Sequence, residues 1–202
     1  MYIRDAKNRE EVWLLDHIEA MGLDERAFRS RDYVIAIDEH SNEKTGFGRI
    51  RIHRTDDDEE YCELTSIGVL DGWREQGVGA HIVERLVEYA SDQDFVRIYT
   101  LAPTPDYLAQ FGFEPIDDGD LPDILQSRLS AKRSSHDGPI VPMTIASDRF
   151  RMPPRLRERF KRAGRRKEPK SEPETEADAV AEELGIDPDE ATYKYDTTGG
   201  RR

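Results

Sequence analysis

Residues 74–80 read Arg-Glu-Gln-Gly-Val-Gly-Ala, and this short stretch decides the fold. It follows Glu63–Val69, an apolar run typical of a strand, and it precedes a helix whose apolar face is Gly79, Ile82, Val83, Leu86, Val87 and Ala90. The glycines at 77 and 79 remove Cβ atoms, so successive backbone N–H groups are free to converge on phosphate oxygens, and the helix dipole favours negative charge there. The loop therefore predicts a diphosphate site.

Gly-x-Gly also occurs in other kinds of loop, and the residues around this one restrict which kind it can be. A tight turn that lets a helix pack closely on a strand needs the same glycines, so the loop alone leaves that alternative open. No Lys-Ser/Thr follows a Gly-x4-Gly, as a P-loop would require. The third glycine and the downstream ribose-binding acid of a dinucleotide fold are also missing.

The order of elements around the loop predicts one mixed α/β domain. Helical spacing of apolar residues indicates a first helix, and three β-rich runs with polar turns between them indicate an antiparallel meander. The order is α-β-β-β-α-β-α, followed by a helix and a last strand. The predicted elements around the central helix are Leu14–Met21, Tyr33–Ile37, Gly46–His53, Tyr61–Leu70, Phe95–Leu101, Pro105–Phe111, Leu121–Ser134 and Pro139–Ile145.

Three motifs together resemble the GCN5-related N-acetyltransferase (GNAT) family. They are Arg74-x-x-Gly77-x-Gly79-Ala80, the strand before it, and Tyr107-x-x-x-Phe111-Gly112-Phe113 at the end of a short helix. The resemblance covers Tyr33–Ile116. It implies a GNAT-like α/β fold with a central, splayed, mostly antiparallel sheet flanked by helices. The implied activity is direct transfer of an acetyl group from acetyl-CoA to a primary amine in a ternary complex.

The resemblance also implies how acetyl-CoA is held. Its pantetheine would lie as an added strand in the opening of the sheet, bonded to the main chain of Ile67 and Val69. Arg74 would add positive charge near the diphosphate. The diphosphate would bind the backbone N–H groups of Gln76, Gly77, Val78, Gly79 and Ala80. Core packing alone would also explain Ile67 and Val69, and both roles are compatible because the contacts come from main chain.

Two side chains are candidates for catalysis. Glu63 lies 11 residues before Arg74, the interval at which histone-type members of the family place a glutamate base, and Thr65 shares its face. Tyr107 is the candidate acid for the departing thiolate, with the Val69 N–H as the expected oxyanion donor. Family members usually carry the tyrosine one position later, at Leu108 here, about 100° around a helix. The alternatives are an exposed strand carboxylate for Glu63 and packing for Tyr107.

The acceptor amine is less visible in the sequence. The stretch Leu121-Pro122, with Arg128 and Lys132-Arg133 after it, resembles small-molecule members akin to N-acetylglutamate synthases, where basic groups hold an amino-acid carboxylate. The acidic surface would instead suit polyamines or basic peptide termini. A small-molecule or peptide amine therefore remains the expected partner.

Composition bounds the class of protein. The formal charge is −13, and residues 1–148 hold 16 basic against 31 acidic side chains. Arg outnumbers Lys by 23 to 7, and such acidity predicts adaptation to a cytoplasm of molar salt, with an ordinary acidic protein as the alternative. No run of about 18 apolar residues predicts a membrane span, and the start lacks the apolar core of a signal peptide. A cytoplasmic protein is expected. Cys62 stands alone, and no Cys/His spacing predicts a metal site.

The charge changes sign near residue 149. The sequence predicts an acetyltransferase domain at 1–148 and a tail at 149–202, basic and then acidic, that is largely disordered. The basic part is compatible with RNA binding, but few aromatic residues accompany it and intramolecular charge balance is the simpler interpretation. A non-catalytic acyl-CoA sensor is the other alternative, and a homodimer remains open.

Overall fold

The computed structural model describes residues 1–164 of the 202. Seven strands form one sheet in the order β1-β2-β3-β4-β5-β7-β6. The strands are β1 Tyr2–Asp5, β2 Tyr33–Ile37, β3 Lys44–Arg54, β4 Glu60–Val69, β5 Arg97–Ala102, β6 Glu114–Pro115 and β7 Val141–Ala146. The α-helices are α1 Glu11–Ala20, α2 Val78–Asp92, α3 Pro105–Ala109, α4 Asp123–Ser135 and α5 Pro154–Lys161.

The sheet opens between β4 and β5. These two strands pair in parallel only where Cys62–Leu64 faces Ile98–Thr100, whereas β4 continues along β3 to Val69 and β5 continues along β7 to Ala102. The other pairs in the sheet are antiparallel. The predicted splayed, mostly antiparallel sheet is therefore confirmed, and the gap lies at the carboxyl end of β4, directly before the glycine loop.

Helices cover both faces of the sheet. On one face, α2 packs its apolar side into the largest core, which includes the fully buried Ile82 and Leu86. On the other face, α1 packs against β2 and β3, and α4 packs against Tyr99 and Leu101 of β5. Burial of one side chain of this size contributes roughly 1.5–3 kcal/mol to the stability of the fold. The open part of the sheet therefore lies within two well-packed layers.

The described chain differs from the sequence-based expectation at its ends. The sequence pattern does not predict strands β1 and β6, and α5 lies within the segment that it assigns to a tail. Leu156 of α5 is buried in the core of α2, and Arg157 donates to Glu84 of α2 at 2.7 Å. The packed chain therefore runs beyond Asp148. Residues 165–202, with the acidic part of the predicted tail, lie outside the described residues. None of the helices within residues 1–164 is both long and apolar enough to cross a membrane.

Candidate active site

The glycine loop forms the N-terminus of α2. Gly77 occupies the N-cap with a φ of +81°, a left-handed conformation that favours glycine. A Cβ at this position would lie 2.4 Å from the Leu156 carbonyl oxygen of α5, so the close approach of α5 also requires glycine. In the first turn, the N–H groups of Val78, Gly79 and Ala80 have no hydrogen-bond acceptor among residues 1–164. This N-terminus thus presents a row of free donors.

Two polar side chains of the loop hold its shape. Arg74 is exposed at the entrance, or mouth, of the gap between β4 and β5. There its Nε donates to the Val69 carbonyl at 3.2 Å, and its Nη2 lies 3.2 Å from Asp71. Gln76 is buried and donates from Nε2 to the Gly72 carbonyl at 2.8 Å, so its side chain braces the turn. Arg74 therefore leaves positive charge at the mouth, and the contribution of Gln76 to a ligand is limited to its backbone.

The main chain of β4 has free groups that face the opening. The Leu70 N–H donates to the Thr45 carbonyl of β3 at 2.9 Å. Because bonded and non-bonded positions alternate in an antiparallel pair, the N–H of Val69 points away from β3 and into the gap. Ser66 has a φ of +49° and bulges the strand, and neither Ser66 nor Ile67 has a partner in the register with β3 or β5.

Tyr107 of α3 reaches the glycine loop. Its hydroxyl lies 2.9 Å from the place where a Cβ on Gly79 would stand, and Val69 Cγ2 lies 3.3 Å from the same point. Burial raises the pKa of Tyr107 to about 12, so the hydroxyl stays protonated at neutral pH. Leu108, at the more usual tyrosine position, packs in the core instead. The one-residue offset therefore still leaves the tyrosine hydroxyl beside α2 and β4.

Glu63 lies on the opposite face of β4 from the α2 core and is fully buried. Its Oε2 accepts from Arg128 Nε and lies 2.8 Å from His53 Nε2, whereas its Oε1 has no partner in the described chain. Burial alone would raise the pKa of this carboxyl, but the hydrogen bonds from His53 and Arg128 outweigh that effect and hold the pKa below its ordinary value. Glu63 is thus a buried, ionised carboxylate with one free oxygen, which differs from the exposed strand carboxylate weighed as the alternative.

The surroundings of Glu63 include residues that the sequence did not single out. Asp24, in the loop after α1, lies 2.5 Å from Arg128 Nη2 and 3.8 Å from Arg51 Nη1. His53 sits on β3 almost opposite Glu63, and the hairpin register of β3 with β4 is the one signal that could have indicated it. Contacts from the α1 loop and from α4 carry no such local signal.

Cys62 precedes Glu63 on β4 but faces the other layer. It is fully buried, and burial raises the pKa of its thiol to about 12. A thiol in that state is a small apolar residue of the core rather than a nucleophile. Within the described residues, no three His, Cys, Asp or Glu side chains are grouped as metal ligands.

Known proteins share this architecture. Residues 2–113 match the family model described as the acetyltransferase (GNAT) family. N-acetylglutamate synthase from Neisseria gonorrhoeae, complexed with coenzyme A and N-acetyl-glutamate, is 17% identical with a TM-score of 0.56, over 72% of this chain and 34% of that one. Rv2747 from Mycobacterium tuberculosis, in complex with CoA and a second ligand, is 16% identical with a TM-score of 0.60, over 72% and 99%.

A third solved structure, a mosquito arylalkylamine N-acetyltransferase like 5b, is 10% identical with a TM-score of 0.53, over 72% of this chain and 99% of that one. At these identities the likeness shows a shared fold and nothing finer. This chain spans about a third of the length of the gonococcal synthase.

Proposed function

Because its family model matches residues 2–113, more than half of the 202, this chain belongs to the GNAT acetyltransferase family, and we propose that it transfers an acetyl group from acetyl-CoA to a primary amine. Members of this family move an acyl group from an acyl-CoA to an amine. One observation carries the finer proposal: the gap between β4 and β5 ends at a helix N-terminus with free N–H groups, and the Tyr107 hydroxyl lies beside it.

In this proposal acetyl-CoA, the thioester carrier, occupies the gap between β4 and β5. Its pantetheine amides pair with the main chain of Ile67 and Val69, as an added strand would, and the Val69 carbonyl has to exchange its bond from Arg74 Nε for one from the ligand. Its diphosphate accepts hydrogen bonds from the loop amides of residues 76–80, and the guanidinium of Arg74 adds charge at the mouth. These contacts are mostly from backbone, so they depend on the shape of the strand and loop more than on side-chain identity.

Glu63 serves as the base through its unpartnered Oε1. A carboxylate with a low pKa cannot remove a proton from an ammonium whose pKa is about 10, so the acceptor reacts from its small neutral fraction. Once the amine nitrogen bonds to the acetyl carbon, its N–H becomes acidic, and Glu63 accepts that proton directly or through water. The carbon–sulfur bond then breaks, which yields the amide and the CoA thiolate.

The oxyanion donor in this proposal is the Ile67 N–H rather than that of Val69. At about 3.3 Å per residue, Val69 lies about 20 Å along the strand from Glu63, and Ile67 lies about 13 Å from it before the bulge at Ser66 shortens the path. A glutamate side chain and one bridging water can span only the shorter distance. Val69 then remains a pantetheine contact.

Tyr107 stabilises the leaving thiolate. Because its pKa of about 12 exceeds the ordinary thiol value of about 8.5, its hydroxyl donates a hydrogen bond to the sulfur rather than surrendering its proton completely. The transfer is direct, since the single cysteine is buried in the other layer and offers no thiol for an acetyl-cysteine intermediate.

Calorimetry with CoA, combined with thiol release from acetyl-CoA in the presence of an amine panel, tests this function. We expect binding and amine-dependent release, whereas a sensor would bind CoA without release. A Gly79→Val variant should lose both, because its side chain would fill the space between the Tyr107 hydroxyl and Val69 Cγ2, where the carrier lies in the proposal. Gly119→Val is the matched control, since nothing lies within 4 Å of a Cβ there. If wild type shows neither heat nor release, the proposal is wrong.

A further inference from the structure

A group of buried and half-buried charges surrounds Glu63, and its balance is positive. In a protein whose formal charge is −13, we define this charge cluster by four cations and the three carboxylates that interact with them. Its members are Arg49, Arg51, Arg128, Lys132, Asp24, Asp32 and Glu63. The cations outnumber these carboxylates, and Asp32 also interacts with Arg29 and Arg31, so the local balance is positive. Since a buried charge is costly unless it is paired, this excess indicates a missing anion.

The unsatisfied atoms show where that anion would bind. Arg49 donates to the carbonyls of Arg26 and Ala27, and Lys132 donates to the Leu101 carbonyl at 2.8 Å. In contrast, the buried Nη1 of Arg51 has no hydrogen-bond partner among residues 1–164 and lies 3.8 Å from Asp24 Oδ2, whereas Nη2 of Arg128 is in ion contact with that oxygen at 2.5 Å. Arg51 therefore supplies a free donor in the charge cluster, and Arg128 is held beside it by Glu63 and Asp24.

Acceptor atoms without hydrogen-bond partners lie on β4, next to Arg51. Glu63 Oε1 and Thr65 Oγ1 are buried and unpartnered in the described chain, and both residues face the same side of the sheet. Arg51 stands opposite Glu63 in the β3–β4 register, a separation of about 5 Å between neighbouring strands. A ligand that fills the site needs an anionic group and a hydrogen-bond donor only a few ångströms apart.

We propose that the acceptor is a small amino acid, whose carboxylate binds Arg51 while its amine lies at Glu63 Oε1 and Thr65 Oγ1. This inference rests on the acyl transfer proposed above and names its substrate class. A carboxylate offsets positive charge in the cluster, and the planar fork of an arginine suits its two oxygens. A polyamine would instead add positive charge to a cluster that already has an excess. Arg133 takes no part, because it pairs with Asp118 in an exposed position.

Matched acceptor pairs test the substrate class. Each pair shares its side chain and amine but differs in the carboxylate: lysine against cadaverine, tyrosine against tyramine, and glutamate against 4-aminobutyrate, which retains only the distal carboxylate. We expect kcat/KM for at least one amino acid to exceed that of its decarboxylated partner by about 10- to 100-fold, the range for a hydrogen bond to a charged group. Thermal shifts with each compound in the presence of CoA provide a second readout that needs no turnover.

Arg51→Gln is the diagnostic variant, because Arg51 Nη1 has no hydrogen-bond partner in the described chain and its ion contact with Asp24 is long, at 3.8 Å. It should abolish the preference within a pair by raising KM for the amino acid, with CoA affinity unchanged. Arg54→Gln, on the same strand but exposed and paired with Glu60, should keep the preference.

Two results overturn the proposal. Decarboxylated amines could be used as well as amino acids, or neither transfer nor a selective thermal shift could be found with any pair. If calorimetry shows CoA binding and an amine without a carboxylate is acetylated, the acyltransferase function stands and only the substrate class is wrong. If CoA does not bind at all, the proposed function itself fails.

Discussion

The substitution Glu63→Gln separates the chemistry proposed for this site from its structural role. A carboxamide has nearly the same shape as the carboxylate, so packing around residue 63 changes little. The negative charge that faces His53 and Arg128 is lost. Arg128 keeps its contact with Asp24 at 2.5 Å, so it is not left without an anion.

The expected losses follow from these contacts. Removing one partner of a buried ion pair costs about 3–5 kcal/mol, and the remaining Asp24 contact favours the lower end of that range. The folded-state pKa of Glu63 lies below its ordinary value of 4.5, so its contribution to stability is complete above that value and disappears as the pH falls through the folded pKa. The stability difference between wild type and variant is therefore largest at neutral pH and shrinks in acid.

The second measurement on Glu63→Gln is its catalytic rate. Loss of a general base lowers the rate by about 10²- to 10⁴-fold. We expect the loss of kcat/KM to persist at pH 9 as at pH 7, because the reacting nitrogen must still release a proton after it attacks. Urea unfolding at both pH values and CoA calorimetry confirm that the assayed protein is folded. Glu60→Gln, on the same strand in an exposed ion pair with Arg54, should retain activity. Activity of Glu63→Gln within about threefold of wild type at both pH values would refute the base assignment.

Further outcomes can be checked on the same protein. Tyr107→Phe should lower kcat more than tenfold with the Kd for CoA unchanged, and a smaller loss would assign Tyr107 to packing. Gly77→Ala, with its φ of +81° and the Leu156 carbonyl in its path, should lower the free energy of unfolding by at least about 1–3 kcal/mol and weaken CoA binding, whereas Gly119→Ala should do neither. Glu10, whose pKa the Arg4 hydrogen bond lowers to about 2, should lose its stabilising effect as the pH falls from about 4.5 towards 2, and Glu10→Gln should flatten acid unfolding across that window. The melting temperature should rise steeply with KCl to about molar concentration, and a flat profile would contradict adaptation to high salt.

The predictable parts of this molecule are those encoded in neighbouring residues. The loop at 74–80, the strand before it and the helix after it follow from glycine positions and apolar periodicity, which are local properties of the chain. The charge cluster does not, because its members come from β3, β4, the loop after α1 and helix α4, and only tertiary packing brings them together. Arg128 was recognised as basic, but its pairing with Glu63 depends on the placement of α4.

Helix α5 shows a different limit of prediction from sequence. Its apolar spacing is a local signal, but the basic composition of the segment obscures it. The average charge of residues 149–164 is strongly positive, and such a composition favours a solvated tail. Met152, Leu156 and Phe160 recur every four residues, however, and they pack against the core while the arginines between them face outward or pair with α2. Phe160 also stacks on His81 of α2 at 3.8 Å between ring centroids. Average charge describes the whole circumference of a helix, whereas docking depends on one apolar stripe, so a basic run with that spacing is compatible with a packed helix.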